Sequence, residues 1–131
     1  MIGNRIELER FQEKSGLLMP INSMPFDVRR VFYLTDVPQE AIRGKHFSKT
    51  SQFLYVVVKG SCKVTLDDGF EKEIHVLNEG EGLLFPKNIW MNISDFQKDT
   101  VLCVMSDTVY TPSDYSEDYS EFLEIARKKN V

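Results

Sequence analysis

The sequence predicts an all-β domain of the sandwich or jelly-roll class with one short C-terminal helix, and three observations lead there. Apolar runs rich in β-branched and aromatic residues recur at intervals of roughly 8–12 residues, punctuated by Gly, Pro, Asn and Asp. Asp67-Asp68-Gly69 separates two of these runs as a hairpin turn, since Asp-Gly tolerates the positive φ that tight turns need. Helical spacing occurs only near the C-terminal end.

Taken in order, Gly16 to Pro20 holds the first apolar run. Pro25-Phe26 introduces a β-branched and aromatic strand over Val28 to Leu34, and Asp36 to Gly44, with Pro38 inside it, reads as a loop. Gln52 to Lys59 is a strong strand closed by Gly60, and Ser61 to Leu66 alternates polar and apolar before the hairpin turn. Lys72 to Leu77 is the return strand. Asn78 to Gly82 forms a Gly-containing turn into Leu83-Leu84-Phe85, and Ile89 to Ile93 and Thr100 to Ser106 are the last strands. Beyond them, Tyr119, Phe122, Leu123 and Ala126 share one face of a helix over Ser116 to Lys129. Ser116 serves as a simple N-cap, and Arg127-Lys128-Lys129 sits favourably at the negative end of the helix dipole.

A chain of 131 residues fits one domain over 1–131. Sixteen Lys+Arg against 20 Asp+Glu leave a formal charge of -4, without the cationic excess of a duplex-DNA binder. The longest apolar run, Phe53 to Val58, is far shorter than the ~20 residues of a membrane span. The opening Met-Ile-Gly-Asn-Arg-Ile-Glu lacks a leader pattern, so neither nucleic acid nor membrane is an expected partner and a cytoplasmic location is. Cys62 and Cys103 lie in apolar strands without CxxC spacing and read as reduced core thiols. With 2 His and 2 Cys in the chain, a His-rich or His/Cys metal centre is hard to assemble.

Chemistry concentrates in Arg43-Gly44-Lys45-His46-Phe47-Ser48-Lys49-Thr50-Ser51-Gln52 and in Gly82 to Phe85 followed by Pro86-Lys87-Asn88-Ile89-Trp90-Met91-Asn92. The two stretches resemble the paired motifs of the cupins, small β-barrels that present His, His, Glu and His to a metal. Here those positions hold His46, Ser48, Gln52 and Met91, and only His46 is a competent imidazole or carboxylate ligand. Met24 to Tyr33, Arg43 to His46, Gln52, Gly60 to Gly69, Gly82, Pro86, Trp90, Ser106-Asp107 and Asp114-Tyr115 together resemble the sugar-nucleotide 3,4-ketoisomerases. Those are metal-free cupins acting on dTDP-4-keto-6-deoxyglucose. The pattern departs at Ser48 and Met91, where the family commonly has His.

The resemblance implies a cupin jelly-roll barrel that interconverts the 4-keto and 3-keto forms of a dTDP-linked 6-deoxyhexose, with no metal and no cofactor. It also implies a homodimer, and a product that feeds an aminotransferase making 3-amino-3,6-dideoxysugars of surface glycans such as lipopolysaccharide. An enediol route needs a base at C3, a proton for C4 and a donor to the enolate oxygen. An imidazole near pKa 6.5 can work in both directions, which makes His46 the expected acid/base. Tyr33, a neutral phenol, is the expected partner. Arg43 is the expected pyrophosphate contact because its planar fork suits phosphate oxygens. Lys49 assists the nucleotide, while Arg30 is a substrate contact or a structural ion pair and Trp90 a pocket wall or core filler. Asp114 and Tyr115 fall at the rim, and His75 is structural, on an exposed strand face.

If a strand starts at His46, Ser48 and Gln52 share its inward parity as substrate contacts. Phe53, Tyr55 and Val57 then face outward, compatible with a dimer interface. Two other functions compete: a catalytically silent dTDP-sugar-binding cupin, suggested by Ser48 and Met91, and a dTDP-sugar 3,5-epimerase that would take protons from two ring carbons.

Overall fold

A strand that buries one face needs a second layer to lie against, and the chain meets this need with two five-stranded antiparallel sheets packed face to face. The computed structural model describes residues 1–128. In chain order the strands are β1 (Asn4–Glu7), β2 (Phe11–Glu13), β3 (Gly16–Leu18), β4 (Arg30–Leu34), β5 (Arg43–Ser48) and β6 (Phe53–Lys59). They continue with β7 (Ser61–Asp67), β8 (Lys72–Asn78), β9 (Glu81–Phe85), β10 (Trp90–Ser94), β11 (Val101–Ser106) and β12 (Tyr115–Ser116), before helix α1 (Tyr119–Lys128). One sheet runs β1-β9-β6-β11-β4 and the other β12-β5-β10-β7-β8, while β2 and β3 form a separate hairpin. This is the jelly-roll barrel with a C-terminal helix.

The inner faces meet in one core. Tyr55, Val57 and Leu102 from the first sheet pack with Val64, Leu66 and Ile93 from the second. The outward parity expected for Phe53, Tyr55 and Val57 is therefore wrong. The parity count fails because β5 ends at Ser48 and β6 begins at Phe53, with a turn between them. Ser48 Oγ accepts the N–H groups of Thr50 and Ser51 at 3.3 and 2.9 Å, fixing that turn. The outward residues of β6 are Leu54 and Val56, and they too are buried. With Cys103 and Met105 they form a second cluster, covered by Ile21, Met24 and Phe26 from the segment before β4.

The second sheet is covered by α1, whose Phe122 and Ala126 pack on Phe47 and Trp90. Its N-cap is Asp118, which accepts the N–H groups of Ser120 and Glu121 at 2.9 and 3.3 Å. Ser116, the expected cap, instead accepts from Asp118 N and donates to Glu121. Arg127 donates to the Gly69 carbonyl in the hairpin turn, so the cationic end of the helix is used locally. Lys129, expected as part of that end, lies outside the described residues.

The two sheets are clamped at one edge by Glu73 of β8. Its carboxylate accepts the N–H groups of Ile2 and Gly3, just before β1, at 2.6 and 3.0 Å. It also holds His75 Nε2 at 3.0 Å. His75 is thus structural as expected, but mostly buried in this pair instead of exposed. Burial works against ionisation of Glu73, yet the two N–H donors and His75 outweigh it and bring the carboxyl down to about 2. A depressed carboxyl stabilises the fold above its unfolded value of 4.5 and loses that contribution as the pH falls toward 2. Glu73→Gln is expected to cost ~1–3 kcal/mol near neutral pH. Denaturant unfolding at a series of pH values checks this: the gap to wild type should close in acid, and a gap independent of pH would contradict the clamp.

Candidate active site

A β-bulge decides which side chains of β5 face the barrel interior. Across the pairing with β10, Met91 is opposite His46, Asn92 opposite Gly44 and Ile93 opposite Arg43, so Lys45 is an extra residue without a partner. Gly44 and Lys45 take positive φ values of 86° and 58°. Strict alternation would send Arg43 and His46 to opposite faces. With Lys45 bulged out, both lie on the face of Met91 and Ile93, which point into the barrel. Glycine is required at 44 because an added Cβ would stand 2.5 Å from Met91 Sδ and 2.9 Å from the Met91 carbonyl oxygen.

These residues open onto a cavity of about 690 Å³ at one end of the barrel, a volume suited to a small-molecule ligand. Its walls come from Arg30, Phe32 and Leu34 of β4, Arg43, Gly44 and His46 of β5, Phe53 and Tyr55 of β6, and Met91 and Ile93 of β10. The remaining side is the segment after β11, which contributes Tyr110, Pro112 and Tyr115 to Asp118. Pairing of Tyr115 with Ser48 and a hydrogen bond from Lys49 N to the Asp114 carbonyl at 2.8 Å hold that segment to β5.

His46 sits in the wall with its Nδ1 buried and unpartnered among the described residues. Tyr115 lies edge-on to its ring, with centroids 5.2 Å apart. Burial holds the imidazole below its ordinary 6.5; nearby Arg43 lowers it further, while Glu117 pulls the other way. His46 is therefore neutral at pH 7 and free to accept a proton. Arg30 Nη1 donates to the Tyr115 hydroxyl at 3.1 Å. Its guanidinium stacks over Phe32 and Tyr110 at 4.2 and 4.7 Å. Arg30 and Arg43 thus bring two cations to a cavity that also holds one imidazole, an arrangement suited to an anionic ligand with an acid/base step nearby.

Of the site residues expected from sequence, His46, Arg43, Arg30 and the rim residue Tyr115 gather here, and Tyr33, Ser48, Lys49, Gln52 and Trp90 do not. Tyr33 is 62% exposed and faces away from the cavity, because β4 alternates and Arg30, Phe32 and Leu34 take the inner face. Ser48 is buried and spends its oxygen on the turn. Lys49 is ion-paired with Glu121 at 2.9 Å. Gln52 is bound to Asp107 through both its backbone N and its side-chain amide. Trp90 is on the outer face, packed on Phe47, Tyr119 and Phe122 beneath α1. Sequence reasoning placed Tyr55 on the wrong face and missed Phe32, Tyr110 and Glu117; of the last wall it anticipated Tyr115.

The residues present do not fit a metal. Ser48 and Gln52 are committed to a turn and to Asp107, Met91 offers a thioether, and no group of three His, Cys, Asp or Glu gathers among the described residues.

Residues 3–127 match the family model described as FdtA: WxcM-like, C-terminal. The chain is 32% identical over 130 residues to TDP-4-oxo-6-deoxy-alpha-D-glucose-3,4-oxoisomerase of Aneurinibacillus thermoaerophilus, covering 96% of this chain and 94% of that protein. It superimposes with a TM-score of 0.91 on a variant of the 3,4-ketoisomerase QdtA from Thermoanaerobacterium thermosaccharolyticum in complex with TDP-4-keto-6-deoxyglucose. Identity there is 30%, with 97% and 95% of the two chains covered. WlaRA, a TDP-fucose-3,4-ketoisomerase from Campylobacter jejuni, matches with a TM-score of 0.89 at 30% identity over 100% of both chains.

Gly44→Ala is expected to lower stability by about 1–3 kcal/mol and to displace Met91 from its place beside His46. Lys45→Gly, which keeps the bulge conformation available, should be neutral or slightly stabilising. Thermal unfolding of the two variants checks this. Equal tolerance of both would mean that the bulge is not what holds β5 in register.

Proposed function

Because the chain belongs to the FdtA family (WxcM-like, C-terminal), we propose that it is a dTDP-4-keto-6-deoxyhexose 3,4-ketoisomerase whose acid/base is His46. One observation carries the assignment of the site: the His46 imidazole shares the cavity with the guanidinium groups of Arg30 and Arg43, and burial favours its neutral form. The substrate needs those elements, since its diphosphate calls for cations and its C3–H for a base at neutral pH.

Arg43 holds the diphosphate and Arg30, braced by Tyr115, steadies the sugar end. His46 removes the proton from C3, giving an enediol, and returns a proton to C4. The ring is close to hydrophobic walls from Phe32 and Phe53, which exclude water and lengthen the life of the enediol. No step uses a metal or a redox cofactor. The 3-keto product suits an aminotransferase that makes a 3-amino-3,6-dideoxysugar.

A cytoplasmic location and a homodimer belong to the same proposal. Among the described residues no helix is long and apolar enough to cross a membrane. Outward-facing Val31, Tyr33 and Val58, exposed by 50%, 62% and 40%, support pairing through the outer face of the first sheet.

Incubation with dTDP-4-keto-6-deoxyglucose in deuterated water tests the assignment. A 3-keto product carrying deuterium at a ring carbon that takes part in the transfer is expected, whereas label at C3 and C5 without it indicates epimerisation. Binding with neither exchange nor 3-keto product would leave only a sugar-nucleotide-binding protein. His46→Asn should reduce kcat by about 10²–10⁴-fold. Since the base must be deprotonated, the rate should fall as the pH drops through a value below 6.5. An acid limb centred above 6.5 would count against a buried imidazole as the base.

A further inference from the structure

An enediol isomerisation moves two hydrogens, one between carbons and one between oxygens. His46 accounts for the first. Tyr33, the phenol expected to serve the oxygens, is on the far side of its sheet. Three other phenols line the cavity. Tyr110 is 57% exposed, and the Tyr115 hydroxyl is already bonded to Arg30. Tyr55 differs from both. It faces inward from the middle of β6 and is 3% exposed, its ring held edge-on to Phe85 and Phe53 at 5.0 and 6.0 Å. No hydrogen bond to its hydroxyl is among the interactions of the described residues, and that oxygen is not one of the buried polar atoms left without a partner, so it is reached from the cavity that Tyr55 lines. What remains open to it is the cavity.

We propose that Tyr55 is the second catalytic residue, carrying the oxygen-bound proton from O3 to O4 while His46 carries the carbon-bound one from C3 to C4. The inference rests on the ketoisomerase reading of the site. As His46 takes the C3 proton, the C–H electron pair becomes the C3–C4 double bond and the C4 carbonyl electrons move to O4, which takes the phenolic proton of Tyr55. The phenolate then removes the O3 proton as the C3 carbonyl forms, and C4 takes the proton from His46. Both side chains end as they began, and the product is an isomer of the substrate. Burial keeps Tyr55 protonated at rest, and nearby Arg30 favours the transient phenolate.

Tyr55→Phe removes one oxygen and leaves the aromatic packing. Turnover of dTDP-4-keto-6-deoxyglucose should fall by at least about 10²-fold in kcat, with KM and thymidine diphosphate affinity within about threefold of wild type. A variant with kcat within about threefold of an active wild type overturns the role of Tyr55 alone. An inactive wild type overturns the ketoisomerase assignment, and Tyr55 with it. Should Tyr55→Phe fail to fold, 3-fluorotyrosine at this one position keeps both hydroxyl and packing while making the phenol more acidic. A change in kcat then supports the proposal and an unchanged kcat overturns it.

Discussion

One extra residue in β5 governs the chemistry available to this barrel. Because Lys45 has no partner across β10, Arg43 and His46 both face the interior although they are three positions apart. Remove the bulge and one of the two must turn outward, separating the cation from the base. The bulge in turn depends on Gly44, where only hydrogen fits beside Met91, and on the neighbouring strand staying in register. β10 is held by β7 on its other side through five successive residue pairs, Trp90 to Ser94 with Asp67 to Lys63, so the irregularity is confined to the β5 side.

The surroundings of His46 follow from the two-sided burial of the barrel. Sheet one is covered outside over Leu54, Val56, Cys103 and Met105 by the segment that precedes β4, and sheet two by α1. Neither sheet needs its inner face to be wholly apolar for stability, and polar groups can be kept at one end. There the segment 110–118 closes over His46 and brings Tyr115 onto Arg30. The imidazole is made neutral mainly by being withdrawn from water, with Arg43 helping and Glu117 opposing. A group poised in this way can act as a base at neutral pH without a second imidazole, which is consistent with serine at 48 and methionine at 91.

Most of the strands were legible because alternation and turn chemistry agree along β7, the 68–71 turn and β8. β6 was legible as a strand but not in its orientation. A run buried on both faces carries no alternation, and its parity was counted through a turn that resets it. β1 and β2 went unread, being short and mostly exposed. The site was legible where a motif specifies one side chain, as at His46 and Arg43. Tyr33, Lys49, Gln52 and Trp90 carried the motif but point elsewhere, and their neighbours in space, Asp107, Glu121 and Phe122, are far away in sequence. Tyr55 and Tyr110 reach the cavity only through pairings that bring distant strands together, so no local signal marks them.

A structure of the complex with dTDP-4-keto-6-deoxyglucose tests most directly whether the bulge aligns base and cation on one substrate. C3 should lie about 3–3.5 Å from the imidazole of His46 with the diphosphate on Arg43, as a reactive geometry requires. A sugar ring bound away from His46, or a diphosphate with no contact to Arg43, would contradict the claim that these two side chains are turned inward to serve one reaction.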